Sequence, residues 1–234
     1  MISIISFILW YLVISLLGWI AFPIAYRFFP SLPDRGYTLT RALGLLLWGF
    51  IFWLLASLGV LQNSVSGVTL ALFILVILAG WASWGNRLLE IWVWVKSQKK
   101  LVLFAEGLFL IAFALWAFIR SANPDISGTE KPMELAFINA ILRSPAFPPN
   151  DPWLSGFAIS YYYFGYVIVT LLIRVTGVDS GIAFNLAVAL WFGLTALGAY
   201  GVIFNLFRMF RNRTKSEGYW DIYSIPLLGP LFIW

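Results

Sequence analysis

Cysteine and histidine are both absent from this 234-residue chain, and charged residues make up only 11% of it. Without cysteine there is no disulfide framework and no thiolate nucleophile. Without either residue there is no Cys/His zinc site, and histidine-based acid–base chemistry is excluded. A soluble domain carries about 25% charged residues, so the scarcity of charge excludes a soluble globular protein. A disordered chain is excluded as well, because that state needs low hydrophobicity and high charge.

What is present is apolar surface. Hydrophobic residues reach 62%, with 13 Trp and 21 Phe, and the mean hydropathy is +0.90. This composition specifies an all-α fold, a polytopic transmembrane helical bundle, with the lipid bilayer as its first partner. The net charge of +5 fits basic residues that set membrane orientation. No basic stripe carries interleaved base-stacking aromatics outside the apolar runs, so no nucleic-acid partner is expected.

A crossing helix needs about 20 mostly apolar residues. Ile2–Tyr26, Ala42–Leu61, Val68–Gly85, Leu101–Ile119 and Gly181–Phe207 qualify. The first run has no basic stretch before it and exceeds a secretory signal core, which predicts a retained helix. Asn86–Lys100 reads as amphipathic and as lying at the headgroups. Arg120–Gly156 is the longest hydrophilic stretch, with an apolar helical run at Met133–Leu142. Ile222–Trp234 is too short to cross and reads as a truncated helix. There is no internal repeat. The organisation expected is a three-helix membrane region over 1–100, then a core over 101–234. That core comprises a loop at 120–180, a returning helix at 181–207 and the truncated helix from 222.

Loop charge predicts orientation. Arg27, Arg35 and Arg41 mark one loop, and Arg87, Lys96, Lys99 and Lys100 another, as cytoplasmic. The amino terminus and residues 120–180 are then outside, in a multi-pass plasma-membrane protein. Phe157–Ile173 decides whether the basic stretch Arg208, Arg211, Arg213 and Lys215 falls inside. The segment carries Tyr161, Tyr162, Tyr163 and Tyr166 beside Trp153, and these residue types favour the interface. An interfacial helix satisfies every loop count. A short span is the alternative.

Residues 123–166 also carry a family resemblance. Glu130-Lys131-Pro132-Met133, Phe147-Pro148-Pro149, Asp151-Pro152-Trp153 and Tyr161-Tyr162-Tyr163-Phe164-Gly165 resemble the YYY membrane protein family. So do Pro23, Leu32, Asp34-Arg35-Gly36-Tyr37 and Arg41. That family is uncharacterised and similar in layout to the GT-C glycosyltransferases. The resemblance implies a GT-C-like fold with outer-face juxtamembrane helices. It also implies transfer of a sugar from a polyprenyl-phosphate carrier at the outer face. A transporter or flippase for a lipid or lipid-linked sugar, and a non-enzymatic scaffold, are the alternatives. One departure is plain. The acids often adjacent in such loops are here separated, as Asp125 and Glu130.

Such chemistry needs a carboxylate to take the acceptor's proton and a cation to hold the leaving phosphate. Asp125, in Asn-Pro-Asp after a span, is the first candidate base, and a turn-forming role is its alternative. Glu130 follows. Glu134 lies four residues on, so a helix would put both on one face. Their alternative role is stabilising a helix start through the dipole. Lys131 and Arg143 are candidates for the carrier phosphate, or else ion-pair partners of Glu134 or Asp151. Asp151 could join Asp125 on a divalent metal such as magnesium or manganese, although no regular ligand spacing exists. Trp153, Tyr161, Tyr162 and Tyr163 could form an aromatic wall for a sugar or lipid, or anchor the interface. Glu106, inside a span, is expected to snorkel or meet Lys99 or Lys100. The glycines at 107, 193, 198 and 201 are expected at helix contacts.

Overall fold

A computed structural model describes residues 2–214 and 223–231. Lys215 and both ends of the run 222–234 lie outside the described residues, as does the side chain of Arg213. The described chain is all-α, with helices α1 (Ile4–Phe28), α2 (Thr40–Ser57), α3 (Val65–Ala82), α4 (Arg87–Ser97) and α5 (Lys99–Ala122). They are followed by α6 (Lys131–Arg143), α7 (Phe164–Thr176), α8 (Ser180–Thr214) and the short α9 (Leu228–Leu231). Five are long and apolar enough to cross a membrane, namely α1, the stretch Tyr37–Ser57 containing α2, α3, α5 and α8.

Their outer faces carry the apolar residues that a soluble protein would hide. Leu12, Leu16, Phe73, Ile77, Leu103, Ile111, Phe118 and Leu206 are all exposed. In hydrocarbon these faces are solvated by lipid, so helix association falls to close packing and internal polar contacts. The chain divides into two compact units, and the boundary falls within each of the five long helices.

The first unit comprises Met1–Ile14, Leu45–Ile77 and Ala117–Val188. Trp48 donates its indole N–H to the Val68 carbonyl at 3.1 Å, joining α2 to α3. Asn63, in the uncharged turn between them, donates to the carbonyls of Ile141 and Ser144 at 2.6 and 2.7 Å. It thereby satisfies two of the carbonyls left open at the end of α6. Gly49 brings α2 against α7, where a Cβ would stand 2.9 Å from Ile168.

Helix α7 corrects the expected boundaries. Residues 157–163 are not helical, and the helix starts at Phe164. It has 13 residues and stops at Gly177, which takes a left-handed φ of 68°. The helix is about 20 Å long, short of a hydrocarbon core of about 30 Å. That length suits an interfacial helix better than a span. Helix α8 runs past the expected end at Phe207 to Thr214, because arginine and methionine are good helix formers and a helix does not need apolar residues to continue.

The second unit comprises Ser15–Gly44, Leu78–Trp116 and Ala189–Trp234. A Cβ on Gly44 would stand 2.6 Å from the Leu17 carbonyl, so α1 and α2 touch through backbone there. Gly193 lies against Phe109 and Phe113, and Gly201 against Thr38. These two glycines are helix contacts as expected. Gly107 and Gly198 face open space instead, because each sits on a helix side that meets no neighbour.

Candidate functional site

The expected site residues all belong to the first unit. The chain leaves α5 through Arg120, whose Nε donates to Asn185 Oδ1 at 2.9 Å. Arg120 also holds the backbone carbonyl of Asp125 at 3.1 Å, and Asn185 donates to the Pro124 carbonyl at 3.2 Å. The Asn-Pro-Asp turn is therefore fixed through its backbone, and the Asp125 side chain is left exposed. Gly128 and Thr129 follow with φ of 75° and 53°. Two left-handed residues in a row reverse the chain into α6.

Glu130 occupies the N-cap position of α6 without a side-chain cap hydrogen bond and is exposed, with Pro132 in the first turn, where its missing N–H costs nothing. Glu134 lies one turn on and is half-buried. Tyr166 on α7 donates to its Oε1 at 3.4 Å. Burial pushes the Tyr166 phenol up to about 12, and the neighbouring Glu134 carboxylate adds to the rise. Lys131 is half-buried and Arg143 exposed, at opposite ends of α6. The structure does not bring these two cations together.

An aromatic cluster stands beside Glu134, built on the buried Phe137 of α6. Trp153 meets the Phe137 ring edge-on at 5.5 Å, Tyr161 stacks on it at 5.6 Å, and Tyr166 lies tilted at 5.8 Å. Trp153 and Tyr161 keep exposed faces, and Tyr162 is 88% exposed. Tyr163 turns away from this cluster. Its hydroxyl accepts the Trp53 indole N–H at 3.0 Å, and its ring leans on Phe147, which precedes a cis proline. Between the tyrosine run and α2 lies a cleft of about 390 Å³, lined by Leu46, Phe50 and Trp53 among others.

Asp151 has a structural task. Its Oδ1 accepts the backbone N–H groups of Trp153 and Leu154 at 2.8 and 2.9 Å, which sets the turn that presents Trp153. Among the described residues, no group of three or more Asp or Glu side chains gathers to hold a metal ion. The described residues therefore do not form a magnesium or manganese site built from three carboxylates.

The second unit holds a polar cluster that the sequence reading did not assemble. Asp34 is fully buried. Its Oδ1 accepts the Gly36 N–H at 2.9 Å, and its Oδ2 accepts the Thr38 N–H and hydroxyl at 3.2 and 2.6 Å. Its own N–H donates to Asn205 Oδ1 on α8 at 3.1 Å. Next to it, the buried Arg41 forms an ion pair with Glu106, whose other oxygen accepts the Tyr37 hydroxyl at 2.6 Å. Glu106 thus meets Arg41 and Tyr37, not Lys99 or Lys100. The signal was present as an acid inside one span and an arginine at the start of another, each costly in hydrocarbon unless paired.

Helical architecture and five candidate spans define a polytopic membrane protein. Residues 47–233 match the family described as Uncharacterized membrane protein (DUF2298), and the chain belongs to that family. No curated protein and no solved structure matches it significantly.

Proposed function

We propose that the chain belongs to a membrane glycosyltransferase of GT-C type that takes a sugar from a polyprenyl-phosphate carrier at the outer face. The observation that carries this reading is the exposed aromatic surface of Trp153 and Tyr161 on Phe137, extended by Tyr162 against Tyr161, beside Glu134. Flat aromatic faces next to a carboxylate suit a sugar ring, whose C–H faces pack on the rings while its hydroxyls seek acceptors. Asp125 and Glu130 are exposed carboxylates in the same segment and serve as the candidate bases. Either would take the proton from the acceptor hydroxyl as the new glycosidic bond forms and the phosphate leaves. Lys131 and Arg143 are the cations offered to that phosphate. They lie at opposite ends of α6, so one of them serves a given phosphate.

The test is complementation of a deletion host. The wild-type gene, Asp125→Asn, Glu130→Gln and Glu134→Gln are introduced separately and the glycoconjugates compared. Loss of a general base lowers turnover by about 100-fold or more, so the variant at the true base leaves the deletion phenotype. Identical glycans in the deletion strain and in every complemented strain would overturn the proposal.

A second reading, a transporter or flippase for a lipid-linked sugar, draws on the buried Arg41–Glu106 pair. Ionisable groups inside spans mark transport pathways elsewhere. It requires the double variant Arg41→Met, Glu106→Leu, which orphans no charge, to abolish flipping of a labelled lipid-linked sugar in proteoliposomes while leaving the fold intact.

A further inference from the structure

We propose that α4 and the start of α5 form a docking surface selective for anionic phospholipid headgroups. Helix α4 has two faces. Ile91 is buried, and Trp94 packs on Phe22, Tyr26 and Tyr37 with ring centroids 5.3–6.2 Å apart. The other stripe, Leu88, Leu89, Trp92 and Val93, follows i, i+4 spacing, and each member is more than half exposed. Trp84, just before the helix, is 80% exposed.

The position of α4 selects what covers this stripe. Four residues separate it from α3 and one separates it from α5, and both neighbours are candidate spans. Chain connectivity therefore keeps it at the membrane surface. An amphipathic helix with tryptophan and leucine on one side and lysines beside them lies in that plane.

Charge selects the headgroup. Lys96 sits one turn beyond Trp92, with its ammonium 4.9 Å from the indole ring. Lys99 and Lys100 open α5 and are exposed. Among the described residues no carboxylate forms an ion pair with any of the three. Arg208 adds a further cation nearby, donating to Gln98 at 3.2 Å. Glu90 is the one acid on α4. A surface with this surplus attracts anionic lipid, each basic side chain contributing separately near the headgroups.

The experiment uses the whole purified chain. Native mass spectrometry in detergent measures binding of phosphatidylglycerol, phosphatidylcholine and soluble glycerophosphate. The wild type should retain phosphatidylglycerol about tenfold more tightly than phosphatidylcholine. The triple variant Lys96→Gln, Lys99→Gln, Lys100→Gln should lose that preference, and the matching triple arginine variant should keep it. Because the chain lacks cysteine, Leu89→Cys and Val93→Cys can carry spin labels in vesicles containing phosphatidylglycerol. Both labels should be more accessible to oxygen than to a water-soluble nickel chelate. Equal retention of the two lipids, or a preference that survives the glutamines in a folded variant, would overturn the proposal. So would labels that favour the nickel chelate, or glycerophosphate that competes as well as the lipid. Circular dichroism separates loss of binding from loss of fold.

Discussion

Removing one partner of the Arg41–Glu106 pair should unfold the second unit far more readily than removing both. Arg41 is 2% exposed, and its charge is met by the Glu106 carboxylate, by Ser15 Oγ at 3.4 Å and by the Phe109 ring at 4.4 Å. Its Nε has no partner among the described residues. In Glu106→Leu the guanidinium stays buried with no counter-charge, and the Tyr37 hydroxyl loses the acceptor it has at 2.6 Å. Breaking a buried pair in this way costs about 3–5 kcal/mol. Glu106 keeps 24% of its exposure, which places the expectation near 3 kcal/mol. In a chain of this size that lowers the unfolding midpoint by about 6–12 °C. The double variant Arg41→Met, Glu106→Leu leaves no orphaned charge and should unfold within about 1 kcal/mol of wild type. Thermal unfolding of the detergent-solubilised protein, followed by circular dichroism, gives all three midpoints. A single variant that costs less than about 1 kcal/mol, or a double variant as damaged as the single, would refute the burial argument.

Asp34→Ala should cost about 2–3 kcal/mol, because three donors lose a buried acceptor, and should expose residues 27–41 to protease in a timed digest. The raised phenol of Tyr166 gives a pH dependence in the alkaline range. Its folded value exceeds the unfolded one, so the stabilisation is full below about pH 10 and is lost as pH rises through about 12. Denaturant midpoints measured from pH 9 to 12 should fall more steeply for wild type than for Tyr166→Phe, and equal slopes would remove the burial-raised phenol from the account. Single cysteines at Ser127, Gly177 and Thr214 test orientation with an impermeant thiol reagent on intact cells. Labelling at the first two and protection at the third is the expected pattern. Labelling at 214 with protection at 177 would make residues 157–173 part of a crossing element.

The five long helices were legible because a crossing helix is specified locally: about 20 consecutive apolar residues suffice, whatever their neighbours. The same rule misplaced two boundaries. Apolar content counted Phe157–Tyr163 with the helix that follows, but the backbone there is irregular, with Tyr161 stacked on Phe137 and Tyr163 leaning on Phe147 and accepting the Trp53 indole N–H. Content also ended α8 at Phe207, although the polar residues that follow continue the helix to Thr214. The expected outer-loop residues were legible as chemical types, but it was not legible that Trp153 and Tyr161 would share the Phe137 ring, with Tyr162 against Tyr161 and Glu134 bonded to Tyr166. Asp151 reads in sequence as a metal ligand or an ion-pair partner, and the turn it forms through two backbone N–H groups was not among the readings its position offered.

The pairing of Arg41 with Glu106 was beyond reach for a different reason. The residues are 65 positions apart and on separate helices, so no spacing rule links them. What the sequence contained was a constraint without its solution. A carboxylate eight residues into α5 must find a counter-charge or a path to water, and Lys99 and Lys100 offered the nearer path along the chain. Space favoured Arg41, because Gly18 and Gly44 let α1 and α2 approach closely enough to hold it beside Phe109. Intramembrane charge therefore reports that a partner exists, and glycine at the crossing helices reports where backbones can close on it. Reading the two signals together would have narrowed the partner to the start of α2.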